Sequence, residues 1–271
     1  MSVHNINTRI STKDIIKKKH DGERITMLTS YDYTLARLVD EAGIDMILVG
    51  DSASNIVCGN QTTLPISIDE MIFLATSVRP ACSHSLLVVD MPFGSYQVND
   101  DEAVRNAINI IRLSGADAVK IEGGERVIAA IERIVAAGVP VMGHLGLTPQ
   151  SVNQFGGYGI RAKEQAEAEQ LIADARLLEK AGCFAVVLEK IPASLAKQVT
   201  EALSIPTIGI GAGGACDGQV LVLHDMLGLN EGFKPKFLRH FAELAPVIKS
   251  AVSDYIDAVH DGTFPNENEQ Y

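Results

Sequence analysis

Five apolar segments of strand length each lead into ionisable side chains, and this repeated pattern constrains the fold more than any other feature of the sequence. Apolar runs of this length are typical of strands buried in a parallel sheet. Because the carboxyl ends of parallel strands meet at one face, the polar groups there would share a site. The segments cover 46–50, 86–89, 118–122, 139–143 and 185–188, and they carry or lead into Asp51, Asp90, Lys120, Glu122, His144 and Glu189.

The alternation of strands and helices predicts the fold. Three further strands are predicted at 24–32, 206–213 and 218–223, which makes eight in 271 residues. Eight strands alternating with helices at this length predict a (β/α)8 barrel, although an open, doubly wound sheet shows the same alternation. No linker divides the chain, so residues 1–271 are predicted to form one barrel domain. A short helix at 12–19 precedes the barrel, and a polar tail follows a last helix at 240–260.

Composition excludes several classes of protein. A hydrophobic content of 46% supports a large core, and a net charge of -11 gives no basic surface for nucleic acid. No apolar run reaches the length of a membrane-spanning helix, so we expect no membrane partner. The four cysteines show no metal-binding spacing, which favours reduced thiols in a cytoplasmic protein.

The strand-end carboxylates predict a metal site. In a closed barrel Asp51, Asp90, Glu122 and Glu189 converge, and their mutual repulsion requires a compensating cation. Oxygen ligands without a Cys or His cluster suit Mg²⁺ better than zinc. We therefore predict that Asp51, Asp90 and Glu122 bind Mg²⁺. The alternative is that these acids cap the following helices or face solvent.

The remaining polar groups suggest substrate and base positions. Lys120 lies two residues before Glu122, so both side chains point to the same face, where Lys120 would bind a substrate carboxylate or pair with an acid. Ser52 would place its hydroxyl and N–H beside the metal. Glu189 is predicted on the far side of the ring and would serve as general base. His144 is predicted to be a supporting polar group.

Two loops stand out beyond the strand ends. The stretch 53–67 is longer than an ordinary connection, and such loops are usually lids or binding loops. The glycine-rich stretch 209–214 lacks the Lys-Ser/Thr of a phosphate-binding loop, so we interpret it as a tight turn near the site.

At these residues the sequence resembles the ketopantoate hydroxymethyltransferase (3-methyl-2-oxobutanoate hydroxymethyltransferase) family. The matching motifs follow the family order through most of the chain. They are VGDS at 49–52, TTLP at 62–65, VDMPFGSY at 89–96, VKIEGG at 119–124, GHLGLTPQ at 143–150, LE at 188–189, TIGIGAG at 207–213 and DGQV at 217–220. The resemblance implies a (β/α)8 barrel of the phosphoenolpyruvate mutase/isocitrate lyase type.

The resemblance also implies a reaction. A one-carbon unit would pass from 5,10-methylenetetrahydrofolate to 3-methyl-2-oxobutanoate through a Mg-stabilised enolate, giving 2-dehydropantoate for pantothenate synthesis. Asp51 and Asp90 would bind Mg²⁺ with Glu122 completing the site, and Glu189 would accept the proton. Asp51, Ser52, Asp90 and Lys120 would hold the 2-oxo acid. The family often forms large homo-oligomers, commonly decamers.

One departure and two alternatives remain open at this stage. Where the family usually has Leu-Gly-Met and, further on, Gly-Tyr, this chain has Ala53-Ser54-Asn55 and Gly59-Asn60, which affects the loop over the site and hence folate use. The alternatives are a Mg-dependent C–C lyase of the isocitrate lyase superfamily and a non-catalytic binding protein. Against the lyase, none of the four cysteines lies at a predicted strand end: Cys58, Cys82, Cys183 and Cys216. Against the binding protein, a protein that only binds has little need for a base such as Glu189.

Overall fold

The computed structural model describes residues 9–271 as a closed parallel barrel followed by a smaller helical unit. Residues 1–8, where the predicted single domain begins, lie outside the described residues. Each strand pairs with the next and the eighth pairs with the first, so the predicted barrel is confirmed and the open sheet is excluded. The strands are β1 Ile25–Thr29, β2 Met46–Val49, β3 Leu86–Asp90, β4 Ala118–Glu122, β5 Val141–Gly146, β6 Ala185–Glu189, β7 Thr207–Ile210 and β8 Gly218–Leu221.

Helices connect successive strands from β1 to β7 as predicted, whereas residues 211–217 join β7 to β8 without a helix. The predicted long loop 53–67 contains one short helix, a 3-10 turn at Glu125–Val127 precedes the helix after β4, and the last helix begins at residue 244 instead of 240. The helices are α1 Thr12–Asp21, α2 Tyr33–Glu41, α3 Ala53–Ile56, α4 Ile68–Val78, α5 Asp100–Ser114, α6 Ile128–Ala136, α7 Val152–Phe155, α8 Gln165–Lys180, α9 Ala193–Ala202, α10 Leu223–Met226 and α11 Leu244–His260.

Local side-chain chemistry sets several helix boundaries. Ser11 begins α1 with a capping box to Asp14, and Ser67 begins α4 with one to Glu70. Each box satisfies backbone donors that the first turn leaves free. Gly115 ends α5 in the left-handed conformation, at a φ of 74°.

The barrel interior is filled by inward-facing apolar side chains from all eight strands. Ile15 of α1 is fully buried in the same cluster, so α1 packs against the interior of the barrel. The cluster consists of Ile15, Ile25, Met27, Met46, Leu48, Leu86, Val88, Ala118, Met142, Phe184, Ala185, Val187, Ile208 and Val220. This filled interior leaves polar chemistry only at the strand ends.

Acids at the amino-terminal end of the barrel tie neighbouring strands together. Asp45 accepts a hydrogen bond from the N–H of Thr26, the residue opposite it in register on β1. Asp117 does the same with Leu87 of β3, at 2.9 Å. Asp217 accepts from the N–H of its partner on β7 at 2.8 Å. These acids therefore stabilise strand pairs and stand at the opposite end from the predicted site.

A fourth acid anchors the segment that leads into β3. Asp40 of α2 is 3% exposed, and its carboxylate accepts hydrogen bonds from the N–H groups of Ser83, His84 and Ser85 and from both serine hydroxyls. Burial acts to raise the pKa of Asp40, but the Ser85 and Ser83 hydrogen bonds outweigh it and lower the pKa to about 2. Asp40 is therefore ionised at neutral pH and fixes the start of the strand that carries Asp90.

The described chain divides into two compact units, one ending at Val222 and the other spanning Leu223–Tyr271. In the second unit α10 and α11 are followed by a 3-10 turn at Glu267–Glu269. There the rings of Tyr255 and Phe264 meet edge to face, with centroids 5.6 Å apart. No helix within residues 9–271 combines the length and apolarity needed to cross a bilayer.

Candidate active site

The structure brings the predicted site residues together at the carboxyl ends of β2 to β6. Asp51 follows β2, Asp90 ends β3, Lys120 and Glu122 lie on β4, His144 lies on β5 and Glu189 ends β6. The first five are buried, with no side chain more than 6% exposed, whereas the Glu189 side chain is 16% exposed. Glu189 therefore lies closest to the solvent-facing mouth among the six.

Lys120 is the central cation of this cluster. Its ammonium lies 3.1 Å from Asp90 Oδ1, 4.0 Å from Glu122 Oε1 and 3.0 Å from His144 Nδ1. Burial acts to lower the pKa of Lys120, but the charges of Asp90, Glu122 and Asp51 outweigh it, so the pKa is raised and the ammonium stays charged. The ion pair that the sequence left as an alternative for Lys120 is thus present in the structure.

The three buried acids outnumber the single ammonium beside them. Burial raises the pKa of Asp51 and of Asp90, and it raises that of Glu122 to about 7. For Asp51 the charges of Glu122 and Asp90 add to the effect of burial, while Lys120 and Gln150 oppose it. Three carboxylates and one ammonium leave two negative charges when all are ionised.

The surplus of carboxyl groups and the state of two of their oxygens fit a divalent cation. Asp90 Oδ1 and Glu122 Oε1 are buried and accept no hydrogen bond of good geometry, although a cation or ring nitrogen lies near each. Across residues 9–271 no three His, Cys, Asp or Glu side chains are arranged to enclose a metal ion on their own. A hard cation such as Mg²⁺ keeps several waters and needs only one or two carboxylates, so the donors suit it.

His144 connects Lys120 with Glu189. Burial and then the Lys120 charge lower the pKa of His144, so the ring is neutral. Because the ammonium can only donate, His144 Nδ1 must accept, and the ring proton is therefore assigned to Nε2. Nε2 lies 3.4 Å from Glu189 Oε2. His144 thus holds a donor beside the carboxylate that the sequence predicts as the base.

The turn after β2 depends on glycine and on a tyrosine that the sequence analysis missed. A Cβ on Gly50 would lie 2.9 Å from Ser52 Oγ and 3.5 Å from Asp90 Oδ2, so a side chain there would disturb the site. The Asp51 N–H donates to Asp90 Oδ2 at 2.9 Å. Ser52 Oγ is hydrogen-bonded to the buried Tyr31 hydroxyl at 2.8 Å. Tyr31 lies two residues after the end of β1, a position that could have suggested its role.

Two further neutral residues at the site also escaped the sequence analysis. Gln150 donates to Asp51 Oδ2 at 2.9 Å, and Tyr96 donates to Gln150 Oε1 at 2.6 Å. Both lie in loops beyond strand ends and neither is ionised at neutral pH, so a search for charged strand-end residues passes over them. Their position within the quoted motifs was the available signal.

The loop residues that differ from the family pattern hydrogen-bond to one another. Ser54 Oγ donates to Thr62 O at 2.8 Å and accepts from Asn60 Nδ2 at 3.1 Å. Asn55 Nδ2 donates to Asn60 O at 2.8 Å. Ala53 is fully buried. The changes at 54, 55 and 60 thus form one local network.

A second loop approaches the site from the other side. Lys190, in the left-handed conformation with φ 45°, donates from its ammonium to Tyr158 O at 2.5 Å, and its own carbonyl accepts from Arg161 N. Burial raises the pKa of Tyr158, and the charges of Asp51 and Glu189 raise it further. The Lys190 hydrogen bond thus holds the Tyr158 backbone beside the residue that follows Glu189.

A cavity of about 330 Å³ lies beside the ends of β4 and β5 and against α8. Its wall includes Gly124, Arg126, Phe155, Arg161 and Asp174. The Arg161 guanidinium lies 3.8 Å from the centroid of the Phe155 ring, and Arg161 also pairs with Glu167. Arg126 is bonded to the Gln154 amide at 3.1 Å, and within residues 9–271 no carboxylate forms an ion pair with it.

Comparison with known sequences points to one family. The family model described as ketopantoate hydroxymethyltransferase matches residues 9–267. A protein of Flavobacterium johnsoniae named 3-methyl-2-oxobutanoate hydroxymethyltransferase is 59% identical over 263 residues, covering 97% of each chain. Proteins of the same name from Phocaeicola vulgatus and Bacteroides thetaiotaomicron are 57% and 59% identical over 263 residues, covering 97% of this chain and 96% of theirs.

Comparison with solved structures shows the type of barrel. The chain superposes on 2,3-dimethylmalate lyase, a member of the PEP mutase/isocitrate lyase superfamily, with a TM-score of 0.60 at 18% identity, covering 99% of this chain and 93% of that one. Phosphonopyruvate hydrolase in complex with oxalate and Mg²⁺ gives a TM-score of 0.62 at 11% identity, covering 96% and 93%. The predicted superfamily fold is therefore confirmed, whereas identities this low carry no argument about lyase chemistry.

Proposed function

The chain belongs to the ketopantoate hydroxymethyltransferase family, and we propose how its strand-end residues divide the work of that transferase. The observation that carries the proposal is the arrangement around Lys120: three buried acids, a neutral His144 and, beyond it, the partly exposed Glu189. One carboxylate thus stands apart from the acid cluster, as a base must if the other acids hold a cation.

In this proposal the keto acid is held by charge and by the turn after β2. The carboxylate of 3-methyl-2-oxobutanoate binds near the Lys120 ammonium, with Asp51, Ser52 and Asp90 around the 2-oxo group. Asp51, Asp90 and Glu122 are the residues that would hold Mg²⁺. When bound, the ion supplies positive charge against the oxygen that becomes negative as the C3 proton leaves. The surplus of carboxyl groups over ammonium groups, and the Asp90 and Glu122 oxygens that accept no hydrogen bond of good geometry, support this assignment.

Glu189 is proposed to remove the C3 proton of the substrate. His144 Nε2 lies 3.4 Å from its carboxylate and would orient it, because Lys120 holds the ring in the required tautomer. The electron pair left on C3 then forms a bond to the methylene carbon of 5,10-methylenetetrahydrofolate as one of the two C–N bonds of that carbon breaks and the released nitrogen takes up a proton. Water then replaces the second folate nitrogen on that carbon, and tetrahydrofolate leaves with that nitrogen protonated. The product is 2-dehydropantoate, for pantothenate synthesis.

We propose that the cavity beside β4 and β5 receives part of the folate. The donor carries an aryl ring and glutamate carboxylates, and Phe155, Arg126 and Arg161 offer the aromatic and cationic groups that bind such structures. Arg126 is a suitable partner for a carboxylate because, within the described chain, none already pairs with it. The cavity adjoins the loop after Glu122, which supports its connection with the site.

Assembly and location are also proposals. Phe73 on α4 and Leu113 on α5 expose large apolar side chains on neighbouring helices, which supports a homo-oligomer, and a decamer is the expected form. All four cysteines are free, and burial raises the pKa of Cys82 and Cys183, which supports a reducing cytoplasm. Light scattering of the purified protein measures the oligomer directly.

Proton exchange tests the proposed chemistry without the folate. Proton NMR of 3-methyl-2-oxobutanoate in D2O is expected to show Mg²⁺-dependent loss of the C3 proton signal with the wild-type protein. Glu189→Gln should slow exchange by at least about 100-fold, the usual contribution of a general base. Glu201→Gln, a change of an exposed acid on α9, is the matched control and should exchange normally. Undiminished exchange by Glu189→Gln would assign the base elsewhere.

A further inference from the structure

Gln150 is a buried, uncharged residue whose side chain is hydrogen-bonded at both ends. It lies in the 3-10 turn Pro149–Ser151 after β5 and is 6% exposed. Its amide nitrogen donates to Asp51 Oδ2 at 2.9 Å and to Met91 O at 3.0 Å. Its amide oxygen accepts from the Tyr96 hydroxyl at 2.6 Å and from Gln97 Nε2 at 3.1 Å. All the hydrogen-bonding directions of the amide are therefore used.

These contacts determine which way the amide faces. Met91 O is a carbonyl and can only accept, so the NH2 group of Gln150 must point toward it and toward Asp51. The oxygen then faces Tyr96 and Gln97. Gln97 is itself oriented, because its own oxygen accepts from the N–H of Gly94 at 2.7 Å. The donor that reaches Asp51 is thus held in place by several neighbours.

Gln150 also contacts Glu122, the acid at the end of β4, a strand that does not pair with β2. Its backbone N–H donates to Glu122 Oε2 at 3.0 Å. The Glu122 N–H in turn donates to the Tyr96 hydroxyl at 3.2 Å. Glu122, Tyr96 and Gln150 therefore form a closed circuit of hydrogen bonds, to which Asp51 is attached through the Gln150 amide.

We propose that Gln150 is a positioning residue that fixes the Asp51 carboxylate relative to Glu122 and thereby sets the affinity of the site for a divalent cation. A lysine here would also hold Asp51, but it would neutralise the charge that attracts the cation. An amide donates the same hydrogen bond and adds no positive charge to the site. This inference rests on the proposed cation site and adds the residue that preorganises it.

Binding of Mn²⁺ to the metal-free protein, followed by electron paramagnetic resonance, tests this role apart from turnover. Gln150→Met keeps the length of the side chain without its hydrogen bonds, and Gln150→Asn withdraws the amide by one methylene. Both are expected to weaken Mn²⁺ binding about 10-fold or more, the usual effect of losing a group that orients a metal ligand. Gln198→Met, which changes an exposed glutamine on α9, is the control and should bind Mn²⁺ normally.

A double-mutant cycle with Tyr96→Phe distinguishes positioning from general packing. Tyr96→Phe alone should weaken Mn²⁺ binding, and it should add little in the Gln150→Met background, because the two residues act through one circuit. The inference is overturned if Gln150→Met binds Mn²⁺ as tightly as the wild type does, even if the variant is less stable to unfolding. If Gln150→Met does not fold, wild-type Mn²⁺ affinity in Gln150→Asn overturns it.

The outcomes also separate this inference from the proposed function. If the wild-type protein binds Mn²⁺ in a Gln150-dependent manner but exchanges no C3 proton, the proposed function fails and the positioning role stands. If the wild-type protein binds no Mn²⁺, both fail.

Discussion

Asp40→Asn is expected to destabilise the barrel without touching the candidate site. The carboxylate is buried and accepts hydrogen bonds from three consecutive N–H groups and two hydroxyls ahead of β3. Its pKa falls from an ordinary 3.8 to about 2 in the folded protein. At about 1.4 kcal/mol per pKa unit, ionisation of Asp40 contributes about 2 kcal/mol to the free energy of unfolding at neutral pH.

The asparagine adds a second cost. Its NH2 group replaces one oxygen and faces donors, so at least one buried N–H of the 83–85 segment loses its acceptor, at about 1 kcal/mol. Together these effects predict a loss of about 3 kcal/mol at pH 7, measured by guanidinium unfolding. Asp32→Asn is the matched control, because Asp32 caps the same helix with one exposed bond and asparagine caps equally well.

The pH dependence gives the sharper test. Because the folded pKa is lowered, the stabilisation is complete above the unfolded value of 3.8 and disappears as the pH falls toward 2. At pH 3 about half of the ionisation contribution remains, so the difference between wild type and Asp40→Asn should shrink by about 1 kcal/mol. Two results would refute the reasoning. One is a difference in the free energy of unfolding below about 0.5 kcal/mol at pH 7, which is in the range of ordinary surface substitutions. The other is a difference that stays constant down to pH 3.

Two further predictions concern the one-carbon donor, 5,10-methylenetetrahydrofolate. Arg126→Ala should raise its KM about 10-fold, the effect of one charged hydrogen bond, and should leave C3 proton exchange unchanged. Arg133→Ala on α6 is the control, and an unaltered KM in Arg126→Ala would remove Arg126 from the folate site. Replacement of 53–55 by Leu-Gly-Met should change the KM for folate more than that for the keto acid, because it removes the side-chain hydrogen bonds of Ser54 and Asn55 within the loop. Steady-state kinetics that show no change for folate would contradict this.

The fold and the charged part of the site could be predicted from local pattern. Apolar strands followed by acids specify both burial and the direction of the strand, and the barrel then brings Asp51, Asp90 and Glu122 to one end without further information. The positions of strands and most helices follow for the same reason. The partners of Lys120 could be narrowed to a substrate carboxylate or a neighbouring acid, because strand alternation predicts that its side chain points into the barrel.

The neutral residues could not be predicted in this way. Gln150, Tyr96 and Tyr31 lie in loops, where no periodicity reports the direction of a side chain. Their roles depend on hydrogen bonds between segments up to 99 positions apart, as between Gln150 and Asp51. Asp40 shows the same limit outside the site. Its sequence neighbours are those of any surface helix, yet its carboxylate accepts hydrogen bonds from residues 43 to 45 positions away.

The acids at the amino-terminal end of the barrel recur before every second strand at three of four equivalent positions. Asp45, Asp117 and Asp217 each immediately precede an even-numbered strand, and each bonds to the residue opposite on the strand before it. The fourth equivalent position, before β6, holds Phe184 opposite Val141. The barrel is thus a ring of four two-stranded quarters, three with a polar joint and one with an apolar joint.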